Sequence, residues 1–443
     1  MRVVDTFRKA LRSAEQQGKR VRALGSNASL SNHAGQDHIV STTAFDQALP
    51  LWTGLRAQTD ASSLIQVECG MRVNRLCARL RRQGRMLENI AAYTGQTVVG
   101  AMATATHGTG LHLPPMCDQV VSMVLVTRGG EALRVEPING PTDPVLHREP
   151  GITLVQDDAL FHCALTGMGA FGMVAAVTLQ TRLHVPLWEQ RLCGQVATAL
   201  DAALPDPASV RHASMLFSAA AHRGERTAVV TVRDVTDPLR LRDALTPRQR
   251  WIPVLFSHLP LDPILRQTLR RRPRLAPAVI THALRTTARR QIRSHAGRIL
   301  DNYPLNRCAP ARAVELFVPL SKWKAAVRDI ECIADQEQRA GRYLTAPVSV
   351  RFVAASKHLL APTFGQAGAM IELVHLKGTA QEEHAMDPYL EAVRTYSGRM
   401  HLGLETPGLR LARDYDELPA WQATRRQYDP GPAVGLPQFV EAA

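Results

Sequence analysis

The chain has 443 residues, too many for one ordinary hydrophobic core, so two or three domains are expected. Its 45% hydrophobic and 21% charged content describes a soluble globular protein, and no stretch is apolar for the length of a membrane span. The formal net charge of +14 comes without a zinc-finger, RNP or aromatic-interleaved basic motif, which argues against nucleic acid as a partner.

The N-terminal run MRVVDTFRKALRSAEQQGK breaks its apolar positions with charges and does not read as a secretory signal. Val3, Phe7, Ala10, Leu11 and Ala14 recur at helical spacing, and Gly18 ends the run. Val21–Leu24 reads as a short strand leading into the small-residue loop Gly25–His33, GSNASLSNH. Leu64–Cys69 alternates as a strand, and Val73, Leu76, Cys77 and Leu80 mark a helix with Gly84 just beyond it. The β-branched run Thr97–Val99 is expected to be extended and to feed a second loop, Ala101–Gly110, AMATATHGTG. Val120–Val126 reads as a strand, Gly129–Gly130 as a turn and Ala132–Val135 as the return strand. Asp157–Thr166 reads as a helix, Gly167–Gly172 (GMGAFG) as a third loop and Val174–Thr181 as a strand. The order contains no clean βαβ repeat, and no GxGxxG follows the first strand, so a Rossmann domain is not expected.

Composition changes near Val185–Pro186. From about 187 to 310 the chain is rich in Arg, Ala and Pro, with weaker periodicity. The arginine-rich segments LRQTLRRRPR and LRTTARRQIR read as a solvated basic surface, with attraction of an anionic substrate or partner as the sharper alternative. Ala313–Val318, Val348–Ala354 and Met370–Leu376 read as strands, and Trp323, Ala326, Val327, Ile330 and Ile333 line one side of a helix. This alternation suggests an α+β second domain. The seven cysteines, at positions 69, 77, 117, 163, 193, 308 and 332, form no CxxC pair. Their scatter points to a reduced, cytoplasmic compartment and to no metal site.

Three small-residue loops fed by regular elements suggest a large cofactor held mostly by backbone. Small side chains admit close approach, and free N–H groups can form an anion-binding nest. On the later strands, Ser349 and Arg351 share a face, whereas Glu372 and His375, three apart, lie on opposite faces, so at most one points into a pocket. Glu315 is a charge on an otherwise apolar strand and needs a cationic partner.

These segments resemble the FAD-dependent aldonolactone oxidoreductases, within the vanillyl-alcohol-oxidase-like flavoproteins. Gly25-Ser26-Asn27-Ala28-Ser29-Leu30-Ser31 is similar to the family's GSGHS-like pyrophosphate loop. Ala103-Thr104-Ala105-Thr106-His107-Gly108-Thr109-Gly110 is similar to its ATGTHGSG-like loop beside the isoalloxazine, and LPPMCDQVVSMVLVT (113–127) continues the match. ALTGMGAFGMVAAVTLQ (164–180), with Gly167, Gly169, Gly172 and Val174, resembles its GLGxLGVxxxVTLQ element. More weakly, His401 matches the histidine of an HWGK-like motif, and Tyr428-Asp429-Pro430 an LDP segment.

The resemblance implies an α+β, PCMH-type FAD-binding domain of two α+β subdomains at 1–185. It further implies a cap domain at 186–395 with an antiparallel sheet flanked by helices, and a segment at 396–443 that returns to the flavin. The implied chemistry is hydride transfer from a CH–OH group of a small molecule (a sugar lactone, polyol or modified alcohol) to flavin N5. Arg351 and His401 are then catalytic, while Ser349, Glu315, Glu372 and His375 line the substrate pocket. Molecular oxygen or another acceptor takes the electrons, and the small Thr106 just before the His-Gly pair bears on which. Three departures modify this picture. Ala28 stands where many relatives carry the histidine that bonds FAD covalently, implying noncovalent FAD. Ser349 stands where the family has a glutamate two residues before Arg351, so the acid is expected to be lost. His401-Leu402-Gly403-Leu404 lacks the family's aromatic and lysine. Amine oxidation, oxidative cyclisation and a non-catalytic flavin-binding role are therefore alternatives.

Overall fold

The computed structural model describes residues 1–31, 37–127, 129–204, 206–237, 261–300 and 310–428. Asn32, His33, Cys308, Asp429 and Pro430 lie outside these. The first helix, Arg2–Gln16, forms where the sequence predicts it, and Gly18 follows it in a left-handed conformation (φ +61°) that glycine adopts without penalty. Val3, Phe7, Leu11 and Ala14 are buried against Val124, Val126 and Ala175. Full burial of Phe7 or Leu11 contributes roughly 1.5–3 kcal/mol each.

Among the described residues, Val124 and Val126 belong to a six-stranded sheet. Its strands run in the order Ala48–Leu49, Leu64–Glu68, Met173–Gln180, Val120–Val126, Ala132–Glu136 and Thr153–Gln156. Met123 and Leu125, on the opposite face, pack with Leu76 and Leu80 of the helix Val73–Arg82 and Leu160 of Asp158–Leu165. The two helices therefore cover the face that Arg2–Gln16 leaves open. Val21–Leu24 pairs in parallel with His38–Ser41 as a small separate sheet.

One local expectation is corrected. Thr97–Val99 is not extended: Thr97 caps a short helix, Val98–Ala103, its hydroxyl accepting from the Gly100 N–H at 3.2 Å. Threonine is a good N-cap, and that preference overrides the β propensity of the two valines.

The second large sheet has seven strands in the order Arg289–His295, Pro186–Gln195, Thr227–Val235, His212–Phe217, Val348–Val353, Gly368–Leu376 and Ala311–Pro319. All its neighbours are antiparallel. Val348, Val350 and Phe352 join a core with Val327 and Ile330 of the helix Trp323–Arg339, and with Leu390 of Asp387–Arg394. Trp323 meets Phe352 edge-on at 5.2 Å. Ser349 and Arg351 alternate to the other face. The weak periodicity of the middle region has a physical cause in Thr227–Val235. Val230 and Val232 join the sheet's helix-covered core, while Val229 packs with Ile280 and Leu284 of a further helix, Ala276–Thr287. Two adjacent valines facing opposite covered faces break the alternation there. Arg270, Arg271, Arg272, Arg274 and Arg285 are exposed.

Candidate active site

A cavity of about 810 Å³ runs between the two sheets. That is near the upper end of ligand pockets, which span about 300–1,000 Å³. One end is built from the three small-residue loops. Gly25, Ser26, Asn27, Ala28 and Ser29 line it, as do Thr104, Thr106, His107, Gly108, Thr109, Gly169, Gly172 and Val174. The first loop is anchored to the C-terminal segment: Leu30 N–H and the Ser29 hydroxyl both donate to Gly403 O, at 3.0 and 2.8 Å. Farther along, the helix Leu418–Tyr428 docks on the first unit, with Trp421 Nε1 donating to Cys163 O at 3.2 Å.

The sheet of the second unit forms the opposite wall. Register places Ser349, Glu372 and Glu315 side by side on three adjacent strands, as one rung. All three line the cavity, with Arg351 two residues along on the same face. Glu315 and Glu372 are thus directly opposite like charges, an unfavourable pairing unless cations intervene. Two do. Arg351 donates to Glu372 Oε2 at 2.6 Å and lies 3.8 Å from Glu315 Oε1. His107 Nε2 lies 3.2 Å from Glu315 Oε2. The His107 Nδ1 also faces an acceptor, Gly108 O at 2.9 Å. The acid expected to be lost at position 349 is therefore not missing from the site. It stands one strand across, at Glu372.

These partners drive the two carboxyls apart. Burial opposes the charge of Glu315, yet the attraction of His107 and Arg351 prevails and holds it down to about 2. Glu372 goes the other way: burial lifts it above the usual carboxylate range, the Glu315 charge adds to this, and Arg351 opposes it. Glu315 Oε1 makes no hydrogen bond within the described residues. His401 is pushed down to about 4, chiefly by burial, with the charges of His107 and Arg351 adding to it. Its Nδ1 accepts from the Gly403 N–H at 3.1 Å, so the neutral ring carries its proton on Nε2 and presents a donor. A Cβ on Gly403 would lie 2.8 Å from the His401 ring, so the close approach requires glycine.

Three expected residues lie elsewhere. His375 is buried behind the sheet, its Nε2 with Thr379 Oγ1 at 2.8 Å, because its strand neighbour Glu372 takes the cavity face. Gly110 has φ +140° and donates to Phe352 O at 2.6 Å, joining the loop to the second sheet instead of to the cavity. Gly167 packs under its own loop, where a Cβ would meet Cys163 O at 2.8 Å. Sequence reasoning missed Arg22, Asn89, Arg191 and Arg233, all of which line the cavity. Arg22 donates to Met168 O at 2.5 Å and joins the first and third loops. The signal was present: an arginine inside a short buried strand needs a partner.

The family signature described as an FAD binding domain matches residues 2–136, and that of D-arabinono-1,4-lactone oxidase matches 221–434. L-gulono-1,4-lactone dehydrogenase of Mycobacterium tuberculosis is 25% identical over 94% of this chain and 89% of its own. The mitochondrial L-galactono-1,4-lactone dehydrogenase 1 of rice is 35% identical over 172 residues, which is 39% of this chain and 25% of that one. In both its N-terminal and C-terminal parts this chain is similar to the FAD-dependent aldonolactone oxidoreductases. It is accordingly a flavoenzyme with FAD as cofactor. The fold agrees: cholesterol oxidase from B. sterolicum superposes with a TM-score of 0.69 at 14% identity, over 99% of this chain and 91% of that one. A BBE-like protein of Physcomitrella patens superposes with a TM-score of 0.62 at 14% identity, over 99% and 89%. Both likenesses agree with the PCMH-type architecture expected from the sequence motifs.

The residues present fit FAD. Asn89 is 1% exposed, and its Nδ2 has no hydrogen-bond partner among the described residues. A buried donor of this kind calls for an acceptor on a bound group. Arg22 and the backbone of the first and third loops suit a pyrophosphate. Among the described residues, the lining offers no cysteine or histidine at position 28, and burial pushes the lining thiol of Cys69 up to about 12, a poor nucleophile. Acid precipitation of the purified protein is therefore expected to release all flavin to the supernatant; yellow colour in the pellet would refute noncovalent binding.

Proposed function

We propose that this enzyme oxidises the CH–OH carbon of a polyhydroxylated lactone. The observation that carries the reading is the rung Ser349–Glu372–Glu315 with Arg351 and His401 beside it, all at the cavity. Bound FAD supplies the acceptor for a hydride. The protein's part is to grip hydroxyl oxygens, to take one proton and to stabilise negative charge on the oxygen as hydride leaves. The Arg351 guanidinium meets the last need, since it stays charged and presents a planar fork. His401 Nε2–H adds a donor, while Glu315 Oε1 and Ser349 accept hydroxyl hydrogens.

Glu372 is the proton acceptor in this reading. Two carboxyls with opposed shifts divide the work. Glu315, held low, is a weak base and serves as a fixed counter-charge to His107. Glu372, lifted by burial, is the stronger base of the two. Protonation disables it, so flavin reduction is expected to slow as pH falls through a titration lying above the ordinary carboxylate range. Glu372→Gln is expected to remove that acidic limb and lower the rate by about 10²–10⁴. A limb that persists in the variant would reassign the base.

The substrate class is tested by anaerobic mixing with 1,4-lactones, simple polyols, hydrophobic alcohols and amines. Bleaching of the flavin by lactones first is the expected result. Bleaching by amines alone would favour amine oxidation instead.

A further inference from the structure

A second cluster of ligand-type side chains lies outside the cavity. Cys117 and Asp118 sit in the short turn Met116–Gln119, and His358 lies beyond the strand Val348–Val353. One ligand atom from each of the three lies within 4.8 Å of the others. His162, in the helix Asp158–Leu165, adds a second imidazole: its Nδ1 is 3.3 Å from Nδ1 of His358, and the ring centroids are 4.8 Å apart. None of the four lines the cavity.

We propose that Cys117, Asp118 and His358 bind one divalent cation of the zinc class, with His162 beside His358 swinging in as a fourth ligand, and that the ion ties the flavin-facing loop to the strand that carries Arg351. Two nitrogen ligands about 2.0–2.1 Å from a tetrahedral ion stand about 3.3 Å apart, the spacing the imidazoles already have. The carboxylate is aimed by second partners: Ser356 Oγ donates to Asp118 Oδ2 at 2.7 Å, and Lys357 N–H to Oδ1 at 3.2 Å. Such outer contacts orient a ligand before the metal arrives. Asp118 makes no ion pair among the described residues, so this half-buried carboxylate lacks a cation. Coordination replaces the Cys117 thiol proton with the metal, and the proton leaves to solvent.

One thiolate, two imidazoles and one carboxylate select zinc or cobalt over magnesium or calcium. Cysteine spacing gives no hint of such a site, because 196 residues separate the two histidines. The placement gives the ion its use. Met116 N–H donates to Thr106 O at 2.9 Å, so Cys117 follows directly from the loop beside His107, and His358 follows the Arg351 strand.

The FAD-loaded enzyme, stripped with a chelator, is titrated with Co²⁺ alone. One equivalent is expected to produce the tetrahedral cobalt absorption on the long-wavelength side of the flavin band, with release of a proton. Cys117→Ser and His358→Gln are each expected to abolish that band and weaken cobalt binding by at least about 100-fold with flavin retained, whereas Cys193→Ser, at an exposed thiol, leaves it unchanged. X-ray absorption of the cobalt-loaded natural protein serves if a variant does not fold; sulfur and imidazole in the first shell are expected. No band at one equivalent, an unchanged titration in both ligand variants, or a shell without sulfur would overturn the proposal and leave a hydrogen-bonded histidine pair.

Discussion

Arg351→Met is expected to slow anaerobic flavin reduction by about two orders of magnitude while flavin content stays normal. Loss of one transition-state electrostatic contact typically costs ~3 kcal/mol, which is that factor. The structure adds a second consequence. Arg351 is the cation beside two carboxylates on one rung, bonded to Glu372 at 2.6 Å and near Glu315 at 3.8 Å. Removing it leaves like charges facing each other in a half-buried place, so the melting temperature should fall too. The loss belongs at the lower end of the ~3–5 kcal/mol seen for broken buried pairs, since both side chains keep some solvent contact. Arg351→Met/Glu372→Gln separates the effects: the double variant recovers melting temperature but not rate. Lysine should rescue only in part, because a point charge cannot reproduce the fork. Stopped-flow reduction with the best lactone reads all three. A methionine variant with an unchanged reduction rate would remove Arg351 from the chemistry.

Gly108→Val is expected to abolish FAD binding, and Gly108→Ala to weaken it severely. A Cβ at this position would come within 2.3 Å of Asn89 Oδ1 and 2.4 Å of Ile90 O. Backbone cannot yield that much without moving the segment that carries the unpartnered Asn89 amide. The glycine thus protects a contact within the protein wall, on which the cofactor's place then depends. Flavin absorbance after gel filtration, alongside circular dichroism, decides the matter: a folded valine variant with full flavin would show that the Asn89–Gly108 contact is dispensable.

Much of this site was legible one strand at a time. Period-two alternation put Ser349 and Arg351 on one face and set Glu372 against His375, and both relations hold. The loops at Gly25 and Thr104 were visible because a run of small residues is costly unless something approaches closely. What could not be read was register. Nothing in a single sequence says that Glu372 stands beside Ser349, because a one-residue slip would turn every side chain over. The acid looked lost for that reason alone. Gly110 and Gly167 were misplaced by a related limit: a glycine required for a joint between units and one required for a ligand look alike in a sequence. Asn89 escaped notice because its meaning lies in a partner it does not have.

The joint at Gly110 reaches beyond its own hydrogen bond. Phe352 N–H donates to Thr109 Oγ1 at 3.2 Å, Gly110 N–H donates to Phe352 O at 2.6 Å, and His212 Nδ1 sits 2.6 Å from Thr109 O. The residue after Arg351 is thereby laced to the residues after His107. These bonds stiffen the seam between the catalytic wall and the cofactor cradle and favour the two keeping one alignment. Substitutions near Thr287 and Leu300, which line the cavity away from this seam, can then change which molecules are admitted without spoiling the alignment on which hydride transfer depends. A frame that insulates reactivity from selectivity is one on which new substrate preferences can arise by single substitutions.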